Sequence, residues 1–117
     1  KFFINDAPVN LTFVERLAKE LGIDKISTSF YSEVNYLEYV APHTSKGDMA
    51  EVLRAMPAYA GRCVVACGDY GNDAALLRMA DIGIAPADAS DEAKSAADRV
   101  GVPCSENLIA WVLREVL

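Results

Sequence analysis

Positive charge is scarce in this sequence. Its 117 residues hold 11 Lys and Arg against 17 Asp and Glu, a formal net charge of −6. Affinity for phosphate backbones comes from clustered Lys and Arg. No such cluster occurs, so nucleic acid is not an expected partner. Long apolar runs are also missing, and none approaches the ~18–20 residues that a bilayer span requires, so no membrane partner is expected either. The opening Lys1-Phe2-Phe3-Ile4-Asn5-Asp6 is too short an apolar stretch for a signal peptide. It also lacks an initiating Met, which leaves room for a segment upstream. Repeats and low-complexity segments are absent. Cysteine is limited to Cys63, Cys67 and Cys104, an odd number without a disulfide framework. Cys63-Val64-Val65-Ala66-Cys67 reads as a buried strand. Four strand residues span about 13 Å, too far for a disulfide or a shared metal. Three reduced thiols, serving as small core hydrophobes in a cytoplasmic protein, are therefore expected.

What is present suits a globular chain. Hydrophobic residues make up 52% and charged residues 24%, which gives ample apolar surface for one core. Residues 1–4 read as a short strand. Asn10 is placed to cap a helix carrying Leu11, Phe13, Val14, Leu17, Ala18 and Leu21, closed by Gly22. Two strand-like runs, 26–31 and 36–40, flank a short polar link and predict an antiparallel hairpin. Beyond Pro42 the pattern changes. Ser45 with Asp48 resembles a capping box before a helix with apolar Met49, Val52, Leu53 and Met56, stopped by Pro57. A strand at 63–67, a helix through Leu76, Leu77 and Ala80, and a strand at 82–85 follow. Ser90 caps a helix carrying Ala93, Ala96, Ala97 and Val100, and Ser105 caps a last helix through Leu108, Ile109, Val112, Leu113 and Val116. Alternating helix and strand predicts an α/β fold with a parallel sheet between helices. A boundary near 41–45 separates this part from an α+β unit, and the parallel sheet calls for more strands than the chain supplies.

Chemistry concentrates in Cys67-Gly68-Asp69-Tyr70-Gly71-Asn72-Asp73, between an apolar strand and a helix. Sites in open α/β sheets form beyond the carboxyl ends of strands. Asp69 and Asp73 would project there as hard oxygen ligands suited to Mg²⁺. Asn72 would sit near a helix N-terminus, where anions are favoured. Gly, Asp and Asn are also what ordinary turns prefer, and spacing alone leaves both readings open.

The stretch Gly68-Asp69-Tyr70-Gly71-Asn72-Asp73, followed by Ala74-Ala75-Leu76-Leu77-Arg78-Met79-Ala80-Asp81-Ile82-Gly83-Ile84-Ala85, closely resembles the fourth motif of the haloacid dehalogenase (HAD) superfamily. Ser45-Lys46-Gly47, opening a helix some twenty residues upstream, looks like its third motif. Leu37-Glu38-Tyr39-Val40-Ala41-Pro42, Asp88-Ala89-Ser90 and Ala96-Ala97-Asp98 resemble the Cof-type sugar-phosphate phosphatases. The resemblance implies that residues 42–117 are the C-terminal part of a Rossmann-like HAD hydrolase core and that residues 1–41 are the tail of an α+β cap domain. It also implies a Mg²⁺-dependent phosphatase acting on a small phosphorylated metabolite. By resemblance, Asp69 binds Mg²⁺, Asp73 is a ligand or lies just behind one, Asn72 contacts the substrate phosphate, and Lys46 neutralises phosphate and nucleophile. A cation in the first turn of a helix opposes the macrodipole, a local misfit that favours a functional role for Lys46.

The family's nucleophile is the first Asp of an Asp-x-Asp motif, and no two of this chain's Asp residues lie two apart. Asp6 follows an apolar run, but Ala7-Pro8-Val9 supplies neither the second Asp nor the following Thr, so Asp6 reads as a turn residue. The isolated 117 residues are therefore expected to be inactive and to self-associate through an exposed sheet edge. Two other readings stay open: a non-catalytic binding or assembly module that retains the metal loop, and a piece of a P-type pump, whose phosphorylation domain carries a similar loop. His43, the only histidine, reads as an exposed hinge residue. Tyr70 could stack on substrate or pack on the cap.

Overall fold

The structure, a computed structural model, describes all of residues 1–117. The chain divides into two compact units, Lys1–Ser45 and Lys46–Leu117.

The first unit is one helix on an antiparallel sheet. Strand β1 (Phe2–Asn5) is followed by helix α1 (Pro8–Glu20), then by β2 (Thr28–Glu33) and β3 (Tyr36–Val40), with strand order β1-β3-β2. Alternation along the strands puts Leu37 and Tyr39 on the helix side, where they join Leu11 and Ala18 in a small core. The expected hairpin is present, but its first strand starts at Thr28 because a 3₁₀ turn, Ile23–Lys25, intervenes. Helix α1 begins two residues before Asn10. Asp6 Oδ1 accepts bonds from the Ala7 amide (2.7 Å) and from Asn10 Nδ2 (2.9 Å). Pro8 suits the first turn, where no N–H is required. Asp6 is thus a turn residue, as the sequence suggested, and Asn10 braces the turn from inside the helix. The exposed His43 has φ 57°.

The second unit is α/β. It comprises α2 (Lys46–Ala55), β4 (Val65–Cys67), α3 (Ala74–Met79), β5 (Ile82–Ala85), α4 (Asp91–Ala96), β6 (Arg99–Val100) and α5 (Leu108–Glu115). The three strands are parallel, in the order β4-β5-β6. Period-two alternation sorts the two faces. Ala66 and Ala85 pack with Leu77, Ala93 and Ala96 from α3 and α4. Val65, Cys67, Ile82 and Ile84 pack with Leu108 and Val112 from α5. Helices therefore cover both faces of a parallel sheet, the arrangement of a Rossmann-like core.

Several boundaries differ from the sequence reading. The Ala-rich helix ends at Ala96, and Val100 belongs to β6, a third strand absent from the reading. Asp98 makes the difference: its amide donates to the Gly83 carbonyl (2.8 Å), and its Oδ2 accepts from the Gly83 amide (2.7 Å). Strand β4 is shorter than 63–67. Cys63 and Cys104 are exposed and only Cys67 packs against a core, which corrects the expectation of three core thiols. Helix α5 starts after Asn107, at φ 57°, because a 3₁₀ turn over Cys104–Glu106 occupies the place where Ser105 was to cap it. The apolar face of α2 is open, with Met49 59% and Val52 53% exposed. No helix is long and apolar enough to cross a membrane.

Candidate active-site loop

Strand β4 carries the chain to the carboxyl edge of the sheet. There the Gly68 amide donates to the Ile84 carbonyl at 3.1 Å, and the Asp69 carbonyl accepts from the Ser90 amide at 2.9 Å. The second bond ties the loop to the start of α4, where Ser90 Oγ accepts from the Ala93 amide. Gly71–Asp73 forms a 3₁₀ turn that runs directly into α3.

Asp73 organises the loop. It is 5% exposed. Its Oδ2 accepts from the Asp69 amide (3.0 Å) and from the Tyr70 amide (3.4 Å). Its Oδ1 is ion-paired with Lys46 Nζ, from the first residue of α2, 27 positions earlier. A buried carboxylate needs such partners, because its desolvation is otherwise uncompensated. Two glycines allow the close packing. A Cβ on Gly68 would lie 2.3 Å from Asp73 Cβ, and one on Gly47 would lie 2.8 Å from the Ala75 backbone. Gly47 thereby lets α2 approach α3 and brings Lys46 to Asp73.

Of the residues singled out from sequence, Lys46 and Asp73 are in direct contact, and Asp69 is joined to Asp73 through its backbone. Asn72 lies half-buried in the intervening turn. The Asp69 side chain is exposed, next to a cavity of about 460 Å³ lined by Cys67, Gly68, Pro86, Cys104 and Asn107. Burial pushes the Cys67 thiol above its usual range, and the Cys104 thiol adds to the effect. Cys104 is itself raised by burial, then by Asp88 and Asp69. The sequence reading missed two parts of this site: the Asp73 carboxylate grip on two amides, and the cavity wall built from Cys104 and Asn107. Nothing local to those last two residues marks them, since the sheet order brings them to the loop.

A test of metal fit turns on the free donors. Both Asp73 oxygens are engaged by Lys46 and the loop amides, whereas Asp69 is exposed and lines the cavity. No group of three or more His, Cys, Asp or Glu side chains is arranged to hold a metal ion. Asp69 is a hard oxygen donor of the type Mg²⁺ takes, and Mg²⁺ commonly keeps several waters. Asp69 thus offers one uncommitted hard oxygen donor that suits Mg²⁺, and Asp73 offers none.

A helix-flanked parallel sheet with an acidic loop at the carboxyl end of a strand defines a Rossmann-like α/β core with its candidate site at the strand end. The chain belongs to the haloacid dehalogenase-like hydrolase family, which matches residues 1–113. A HAD/COF-like hydrolase from Plasmodium vivax superposes with a TM-score of 0.82 at 26% identity, covering 97% of this chain and 40% of that one. A haloacid dehalogenase-like hydrolase from B. subtilis gives 0.77 at 26% identity, over 88% of this chain and 36% of that one. A sugar phosphatase of HAD subclass IIB gives 0.71 at 26% identity, over 86% and 39%. The resemblance to the HAD superfamily and its Cof-type members therefore holds. A chloroplastic endoribonuclease YBEY from Arabidopsis thaliana is 30% identical over 79 residues, which are 68% of this chain and 14% of that protein. The chain spans less than half the length of each of these relatives.

Proposed function

We propose that these residues form the metal- and phosphate-binding part of a Mg²⁺-dependent phosphatase for a small phosphorylated metabolite, such as a sugar phosphate. The observation that carries this reading is the Asp73 carboxylate held between Lys46 and the Asp69 and Tyr70 amides. The reading is supported by the membership in a hydrolase family and by the likeness to a subclass IIB sugar phosphatase. On the same reading, residues 1–41 are the tail of a cap domain and residues 42–117 part of the catalytic core, working in the cytoplasm.

Each side chain then has a role. Asp69 is the metal ligand. Asp73 holds the loop that carries the exposed Asp69, and it keeps the Lys46 ammonium at the site. Lys46 offers a compact positive charge to phosphate oxygens. Asn72 donates its amide to the same phosphate. Mg²⁺, when bound, neutralises charge on the phosphoryl oxygens. Phosphoryl transfer depends mainly on such positioning and charge stabilisation. The remaining requirement is a nucleophilic carboxylate that forms an aspartyl-phosphate for water to hydrolyse. No Asp-x-Asp pair occurs in the 117 residues, so the chain alone has no turnover on this reading.

Magnesium titration followed by amide NMR tests the proposal. Mg²⁺ is expected to shift the resonances of 68–73 in the wild-type chain, and Asp69→Ala is expected to abolish the response. With Mg²⁺ present, inorganic phosphate is expected to perturb the same loop, at least tenfold more weakly in Lys46→Ala. A loop unmoved by both ligands overturns the reading. Clear hydrolysis of an aryl phosphate that vanishes in Asp69→Ala overturns the expected inactivity alone.

A further inference from the structure

The cavity beside Asp69 has a feature for which the proposed phosphatase chemistry has no use: two of its wall residues are cysteines, on segments far apart in sequence. Cys67 ends β4, immediately before Gly68-Asp69. Cys104 stands in the 3₁₀ turn before α5. Its backbone is fixed there, because the Cys104 amide donates to Asp88 Oδ1 at 3.1 Å. The two differ in accessibility: Cys104 is exposed and Cys67 is half-buried. Cys63 is exposed as well but does not line this cavity. It precedes β4, at the end of the strand opposite Cys67.

We propose that Cys67 and Cys104 form an oxidisable dithiol on the wall of this cavity, closed into an intramolecular disulfide by a low-molecular-weight disulfide such as oxidised glutathione. Exposure sets the order of events. The Cys104 thiolate attacks one sulfur of the small disulfide, forming a mixed disulfide and releasing one reduced thiol. The Cys67 thiolate then attacks the Cys104 sulfur, the mixed bond breaks, and a second reduced thiol leaves. Two protein thiols are oxidised, one small disulfide is reduced, and the two protons end on the released thiols. The new bond ties the segment leading into Asp69 to the turn before α5, so oxidation stiffens the wall next to the proposed metal ligand. The dithiol stands on the cavity and the two cysteines, and holds whether or not the loop binds Mg²⁺.

Intact mass and peptide mapping test this without metal or phosphate. The Cys63→Ser chain is incubated with oxidised glutathione in mildly alkaline buffer, where some thiolate is present. The expected product has lost two hydrogens, carries no glutathione, joins the peptides containing 67 and 104, and reverts with a dithiol reductant. With Cys67→Ser added, the reaction is expected to stop at a stable Cys104–glutathione adduct. With Cys104→Ser added instead, Cys67 is expected to react several-fold more slowly. Two stable glutathione adducts on the Cys63→Ser chain would overturn the proposal, as would disulfide-linked dimers as the main product. The wild-type chain mapped in the same way supplies the answer should Cys63→Ser unsettle the fold; a 67–104 link there supports the proposal, and a link through Cys63 overturns it.

Discussion

Replacing Gly68 with Ala drives a methyl group into the residue that organises the loop. The added carbon would stand 2.3 Å from Asp73 Cβ and 2.8 Å from its Cγ. These atoms sit close to the Asp73 backbone in a buried side chain, so they cannot swing aside as a flexible tip would. Overpacking of this kind costs about 2 kcal/mol. Displacing Asp73 also weakens its two bonds from the Asp69 and Tyr70 amides, for about 2 kcal/mol more. The Lys46 partner adds little, because its side chain is 53% exposed and the pair is screened by water. The total is about 4 kcal/mol. Trp111 is the sole tryptophan and packs in the second unit, so its fluorescence during urea denaturation follows that unit. The cost should depend on the Asp73 side chain: in an Asp73→Gly background, the same Gly68→Ala change should cost less than about 1 kcal/mol. Equal costs in both backgrounds would refute the reasoning, as would a loss below about 1 kcal/mol in the native background.

Three other outcomes follow from the structure. Burial, and then the hydrogen bond to Glu15 and its charge, push the Tyr31 phenol up to about 12 from 10.0. The unfolded chain loses this proton first, so stability is present below pH 10 and declines as pH climbs towards 12. Burial and then the Glu15 charge also raise Tyr39, so phenolate absorbance should show two tyrosines titrating late, and Tyr31→Phe should remove the component near 12. Asp81 is held below its ordinary 3.8, first by the Val64 amide and then by the Arg54 guanidinium. The stability it contributes is present above that value and lost as pH falls below it. Asp81→Asn should flatten the acid limb of a Trp111-monitored stability profile. Asp98→Ala should cost about 1 kcal/mol through the lost bond from the Gly83 amide. An unchanged urea midpoint would mean that β6 is held by its backbone alone.

The parts of the fold legible in the sequence were those with strong local periodicity. The amphipathic spacing of α1, the hairpin of β2 and β3, and β5 all stand close to where the pattern put them. Strand β6 was not legible, because it is two exposed residues long and is held by Asp98 reaching back to Gly83. In sequence it merely continues the alanine spacing of α4. The opening of α1 differs because Asp6 and Asn10 both have capping chemistry, and only the fold shows that the Asp6 carboxylate accepts at the turn while the Asn10 amide donates to it. Cys63 shows the opposite failure. Its apolar neighbours suggested a strand, but the ladder begins at Val65, after Asp81 has taken the Val64 amide. At the loop, motif order singles out Lys46, Asp69, Asn72 and Asp73 as candidates. The bonds that hold Asp73 were not legible, since they depend on Gly68 and Gly47 being small enough to admit it.

The Lys46–Asp73 contact also determines how the second unit should respond to a protease. Residues 57–63 between the two partners are all exposed and include the trypsin site at Arg62. A cut there severs the backbone but neither ion pair that crosses it, Lys46 with Asp73 or Arg54 with Asp81. The two pieces should therefore elute together after nicking and separate only when denatured.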